Sequence, residues 1–185
     1  MSLADLTAAD RRSLLALARA SVAARAGGGA PPEVTAMPAV RAGAFVSLHR
    51  GRELRGCIGS LETDRPIGEV VRQAAAAAAA EDPRFPPVAA DEVGALDVEV
   101  SVLGPLEALD PIEPAGVEIG RHGLVVEEGL RRGLLLPQVA TEWGWDAETF
   151  LAQACAKAGL PTDAWRRGAR VYRFEAVVFG EPALR

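Results

Sequence analysis

Leu54-Arg55-Gly56-Cys57-Ile58-Gly59 sets a single thiol between two glycines near the end of a strand. Strand side chains alternate, so Leu54, Gly56 and Ile58 share one face and Arg55, Cys57 and Gly59 the other. Glycine weakens a strand and marks a bulge, a bend or a close approach to the backbone. Flanking glycines can expose the sulfur, and an arginine two residues before it can bias it toward thiolate. The competing reading makes Cys57 a small buried hydrophobe in a tight bend. That reading carries the greater weight, because free cysteine is among the most buried residue types.

Working outward, Phe45 to His49 and Glu53 to Ile58 read as a hairpin turning near Arg50-Gly51-Arg52. A two- or four-residue loop places Phe45, Ser47, Leu54 and Ile58 on one face and Val46, Leu48, Arg55 and Cys57 on the other. A three-residue loop swaps the pairing, and the sequence leaves both open. After the motif, Pro66 suits a first helical turn. Ile67, Val70, Val71 and Ala74 carry a helix through the alanine run 74–80, whose small side chains allow close packing on a sheet. Asp82-Pro83 ends it, and Arg84-Phe85-Pro86-Pro87 follows as a stiff loop.

Before the hairpin, Thr7 to Ala26 reads as a helix with a Thr7–Asp10 capping box, a stripe of Leu14, Leu17, Ala18 and Val22, and a solvated face of Arg11, Arg12, Arg19 and Arg25. Beyond it, Asp97 to Leu103 alternates as a half-buried strand. Residues 104–120 carry three prolines and wrap the surface. Leu124 to Glu127 and Leu134 to Leu136 form a second hairpin, and Pro137 opens a short helix to Trp143. Asp146 caps a helix whose apolar face is Phe150, Leu151, Ala154, Cys155 and Ala158, and Val171 to Phe179 is the last strand. Strands arrive as hairpins and singles rather than alternating with helices. That pattern predicts an α+β fold with a mainly antiparallel sheet and packed helices.

The chain has 185 residues, 49% of them hydrophobic and 5% aromatic, which suits one domain, 1–185, with a core of Ala, Val and Leu. A net charge of -5 disfavours a general nucleic-acid binder. No apolar run approaches the ~20 residues of a membrane span, and no signal peptide is evident. Two cysteines and two histidines at unrelated spacings give no zinc signature and no disulfide scaffold. Reduced thiols in a cytoplasm, with no metal and no cofactor, are the expectation.

The Leu54–Gly59 block, the run 82–87, Val98 to Leu103, Gly123-Leu124 after His122, the run 133–140 and Gly144-Trp145-Asp146 occur in an order that resembles one family. The chain is similar to the AMMECR-one domain family, in its prokaryotic branch called AmmeMemoRadiSam system protein A, over about residues 8 to 181. The resemblance implies two unequal lobes with a cleft between them. It also implies two partners, a Memo-like protein and a radical SAM protein. It delivers no reaction, so function has to come from the site.

A cysteine nucleophile needs a base or a positive field, and a group to orient the base. Cys57 is the candidate nucleophile and His122 the candidate base, provided the fold joins them. Arg55, Gly56, Gly59 and Arg84 are the candidate substrate-binding residues. Three readings stand at this point. The chain handles a small substrate in a cleft around Cys57, or it is a non-catalytic protein-interaction adaptor, or, least favoured, it binds nucleic acid. Whether the chain is an enzyme stays open.

Overall fold

The computed structural model describes residues 6–61 and 64–181. The fold is α+β, with four α-helices and a seven-stranded antiparallel sheet among the described residues. The strands are β1 (Ala44–Arg50), β2 (Glu53–Ser60), β3 (Asp97–Leu103), β4 (Glu107–Ala108), β5 (His122–Glu128), β6 (Arg131–Leu135) and β7 (Arg170–Gly180). Their order is β2-β1-β3-β7-β5-β6, with β4 paired to β7. No helix among the described residues is long and apolar enough to cross a membrane. The chain divides into two compact units, residues 1–103 with 177–185, and residues 104–176.

In the first unit, α1 (Ala8–Gly27) starts at the Thr7–Asp10 capping box and stops at Gly28, which takes the left-handed conformation. Leu14, Leu17, Ala18 and Val22 are buried as the periodicity requires. Arg19 departs from the solvated face. Its guanidinium is half-buried, pairs with Glu181 and donates to the carbonyls of Val93 and Leu96. The second helix, α2 (Ile67–Ala80), buries Ile67, Val70, Val71, Ala74, Ala75, Ala78 and Ala79. This stripe meets Val46 and Leu48 of β1 and Val98, Val100 and Val102 of β3 in one apolar cluster.

The β1–β2 hairpin turns through two residues, since Arg50 faces Glu53, and Gly51 has a positive φ of 59°. A bulge then breaks the alternation: His49 pairs Leu54, whereas Leu48 pairs Gly56, so Arg55 is the extra residue. Past the bulge Cys57 lies opposite Ser47, and Ile58 opposite Val46. Of the two pairings that the sequence leaves open, the structure has the one with Cys57 on the face of Ser47, reached through the bulge and not through a three-residue loop.

In the second unit, β5 pairs with β6 and with β7, and α3 (Pro137–Trp143) and α4 (Ala147–Lys157) follow the hairpin. Asp146 caps α4 by accepting the Thr149 N–H at 2.8 Å. Phe150, Leu151, Ala154 and Cys155 of α4 pack with Leu124, Val126, Val171 and Trp165. The proline-rich stretch holds the short strand β4, which periodicity does not reveal in a two-residue element.

Candidate functional site

The site is built on β2, which stands at one end of the strand order. In an antiparallel pair every second residue turns its N–H and C=O away from its neighbour. The Cys57 N–H points outward in this way and donates to Asp82 Oδ2 at 2.8 Å. Arg84 Nη2 stands 3.5 Å from the Cys57 carbonyl oxygen. The loop after α2 thus blunts a strand edge with side chains, a common device at exposed edges.

Asp82 is buried and heavily bonded. Its carboxylate accepts the Cys57 N–H, the Arg84 N–H at 3.1 Å, and the Arg84 side chain at 2.9 and 2.7 Å. The Arg84 guanidinium holds the Asp82 carboxyl well below the ordinary carboxylate range. Burial opposes this, and the two backbone N–H donors add to it. The guanidinium also lies 5.4 Å from the Phe85 ring centroid.

Cys57 is half-buried, and the Ser47 hydroxyl donates to its Sγ at 3.2 Å. Glu99 of β3 lies opposite Ser47, so Cys57, Ser47 and Glu99 form one row across three strands. Burial pushes the Cys57 thiol above its ordinary pKa. The Ser47 bond and Arg84 oppose this, and Asp82 and Glu99 reinforce it. At neutral pH the sulfur is a thiol.

Arg55 supplies no field to that thiol. The bulge turns it to Glu92, with contacts of 3.0 and 3.2 Å, and to the carbonyl of Pro86 at 2.9 Å. Both candidate arginines are thus tied to carboxylates of the fold. Gly56 and Gly59 have packing reasons. A Cβ at Gly56 would fall on the Ala78 carbonyl oxygen, and one at Gly59 on the Ala44 carbonyl and the Phe45 ring. A pocket of about 420 Å³ opens beside the motif, between β2 and α2, with Ile58, Gly59, Ser60, Arg65, Gln73 and Glu81 in its wall.

His122 belongs to the second unit. It accepts the Glu118 N–H on Nδ1 at 2.9 Å. Among the described residues no hydrogen bond joins it to Cys57, so the structure gathers Cys57, Arg84, Gly56 and Gly59 and leaves His122 in other company. Ser47, Glu92 and Glu99 escaped the sequence reading. Only the bulge brings Ser47 to the sulfur, and nothing local marks Glu92 as the partner of Arg55. Among the described residues no group of three His, Cys, Asp or Glu is placed to hold a metal ion.

The model of the AMMECR1 family matches residues 15–179. A protein of Methanothermobacter thermautotrophicus is 45% identical, over 98% of this chain and 99% of its own length. A protein of Thermococcus gammatolerans is 51% identical, over 82% of this chain and 76% of its own length. The crystal structure of the uncharacterized protein PH0010 from Pyrococcus horikoshii superposes with a TM-score of 0.86 at 43% identity, covering 91% of this chain and 89% of that one. With a family match over nearly the whole fold and archaeal relatives at this level of identity, the chain belongs to the AMMECR1 family.

Proposed function

We propose that the chain is a non-catalytic interaction component, and that the edge of β2 with the Asp82–Phe85 loop is its docking element. The observation that carries this reading is the state of Cys57. The thiol is half-buried and held protonated, and the two nearest candidate arginines are occupied by Asp82 and Glu92. A nucleophile requires the opposite arrangement. The acidic balance of the chain continues to disfavour nucleic acid.

Resemblance to the prokaryotic AmmeMemoRadiSam branch names the partners in this proposal, a Memo-like protein and a radical SAM protein. Every residue invoked lies in the first unit, so the expected cleft between two lobes takes no part. The test is direct binding of the purified chain to a Memo-like protein and to a radical SAM protein from the same genome, by interferometry. Binding retained in Cys57→Ser and lost in Arg84→Glu is the expected result. No binding to either partner would overturn the assignment.

A second reading has one specific observation in its favour. The pocket of about 420 Å³ between β2 and α2 is of a size that accepts a small molecule. On this reading the first unit handles a small substrate beside the motif rather than at the sulfur. A metabolite mixture that raises the thermal midpoint of wild type but not of Gln73→Ala supports it.

A further inference from the structure

The second unit holds a polar recess that the docking reading does not use. Along β5 and β7 the cross-strand pairs run Val126–Val171, Leu124–Arg173 and His122–Glu175. The first pair and Leu124 are core. The same face therefore passes from apolar to charged within two rungs, because side chains two apart share a face. Arg173 also lies opposite Glu107 of β4. The rungs open on a recess of about 320 Å³ lined by Glu107, Glu118, Arg121, His122, Arg173 and Glu175. Small-molecule sites begin at roughly this size.

His122 is the built feature of the recess. Only 9% of it is exposed, and its Nδ1 accepts the Glu118 N–H, so the neutral ring carries its proton on Nε2. Among the described residues Nε2 makes no hydrogen bond. Nε2 is not among the buried side-chain atoms left without a partner, so its N–H reaches the open recess, where an acceptor can take the place of solvent. Burial, then Arg173 and Arg121, hold the ring below its ordinary pKa, so it is neutral at pH 7.

The charges around it select the ligand class. Arg121 bonds Glu175 at 2.8 Å and Glu118 at 3.1 Å, and Arg173 bonds Glu107 at 3.1 Å and the Gly116 carbonyl at 2.8 Å. Three carboxylates against two guanidinia disfavour a dianion such as phosphate. Two guanidinia disfavour a metal cation. A molecule with both signs matches both sets, exchanging one exposed ion pair for two, and exposed pairs are weak enough to exchange. We propose that this recess binds a small zwitterion of the amino-acid type, its carboxylate on Arg121, Arg173 and His122 Nε2, and its ammonium on Glu107 or Glu175.

The two histidines of the chain, His49 and His122, make the test direct, because His49 lies in β1. L-alanine is titrated into the full chain while the imidazole Cε1–H signals are followed by NMR, with acetate, ethylamine and inorganic phosphate as separate probes. The expected result is a saturable shift of the His122 signal with L-alanine alone, and an unmoved His49 signal. Affinity falls about tenfold or more in Arg173→Gln and in the double variant Glu107→Gln with Glu175→Gln, as for loss of a charge-assisted hydrogen bond. If Arg173→Gln does not fold, Arg121→Gln, a more exposed side chain, replaces it. No saturable shift with L-alanine overturns the proposal. So does an equal response to acetate or ethylamine alone, or tighter binding of phosphate.

Discussion

At the scale of single residues, Asp82 is the group on which the motif depends. It is a buried carboxylate with four donors, and it ties the loop after α2 to the backbone of β2 at Cys57. Asp82→Ala leaves the Cys57 N–H without its partner and releases Arg84. A loss of about 2–4 kcal/mol of folding stability is expected, measured by urea denaturation. The pH dependence has a definite sign. The folded carboxyl sits below the unfolded value of roughly 3.9, so its contribution is complete above about pH 4 and is lost as the pH falls below that. The stability gap between wild type and Asp82→Asn should therefore be constant near neutrality and close in acid. Equal gaps at neutral and acid pH would show that the charge of Asp82 is not what stabilises the loop. The sequence sets Asp82 and Arg84 two residues apart, within reach of each other, but leaves open whether Arg84 meets Asp82 or a ligand. The bond from Asp82 to the Cys57 N–H was not legible there, since it spans 25 positions.

At the scale of elements, β2 and α2 are matched through their smallest residues. The alanine run lets α2 approach the sheet, and Gly56 gives the Ala78 carbonyl room. Gly56→Val and Gly59→Val should each destabilise the fold by at least about 1–3 kcal/mol, because backbone or the Phe45 ring already occupies the Cβ position. Gly94→Ala is the control: nothing lies within 4 Å of its added Cβ and its φ is ordinary, so its thermal midpoint should stay near wild type. Unchanged midpoints in both valine variants would remove the packing explanation. The flat-lying helix could be read from residues 66–80, and a hairpin turn near Gly51 could be read as well, but the length of that turn could not, because alternation alone fits more than one loop. The bulge at Arg55 could not be read either, because no side chain announces an inserted residue in a ladder. One slip moved every residue beyond it to the other face. Arg19 was misread for a related reason: its helical position faces Glu181, a partner 162 residues away.

At the scale of the whole chain, the α+β class and the antiparallel order followed from hairpin signals and alternation, which are local. The assembly of sites did not, because it depends on which strands become neighbours. His122 and Cys57 are both polar residues in strands, and only the fold shows that they lie in different units with different partners. Cys155, in contrast, was decided by helical spacing alone and is fully buried in the second core. Both thiols can be read in one measurement, alkylation of the native protein by iodoacetamide against pH, with each cysteine quantified by peptide mass. The expected result is an apparent pKa for Cys57 above the roughly 8.5 of free cysteine, the same value in His122→Ala, and no labelling of Cys155 before unfolding. A Cys57 pKa clearly below the free value, rising again in His122→Ala, would contradict a docking edge with an unactivated thiol and restore Cys57 as a nucleophile.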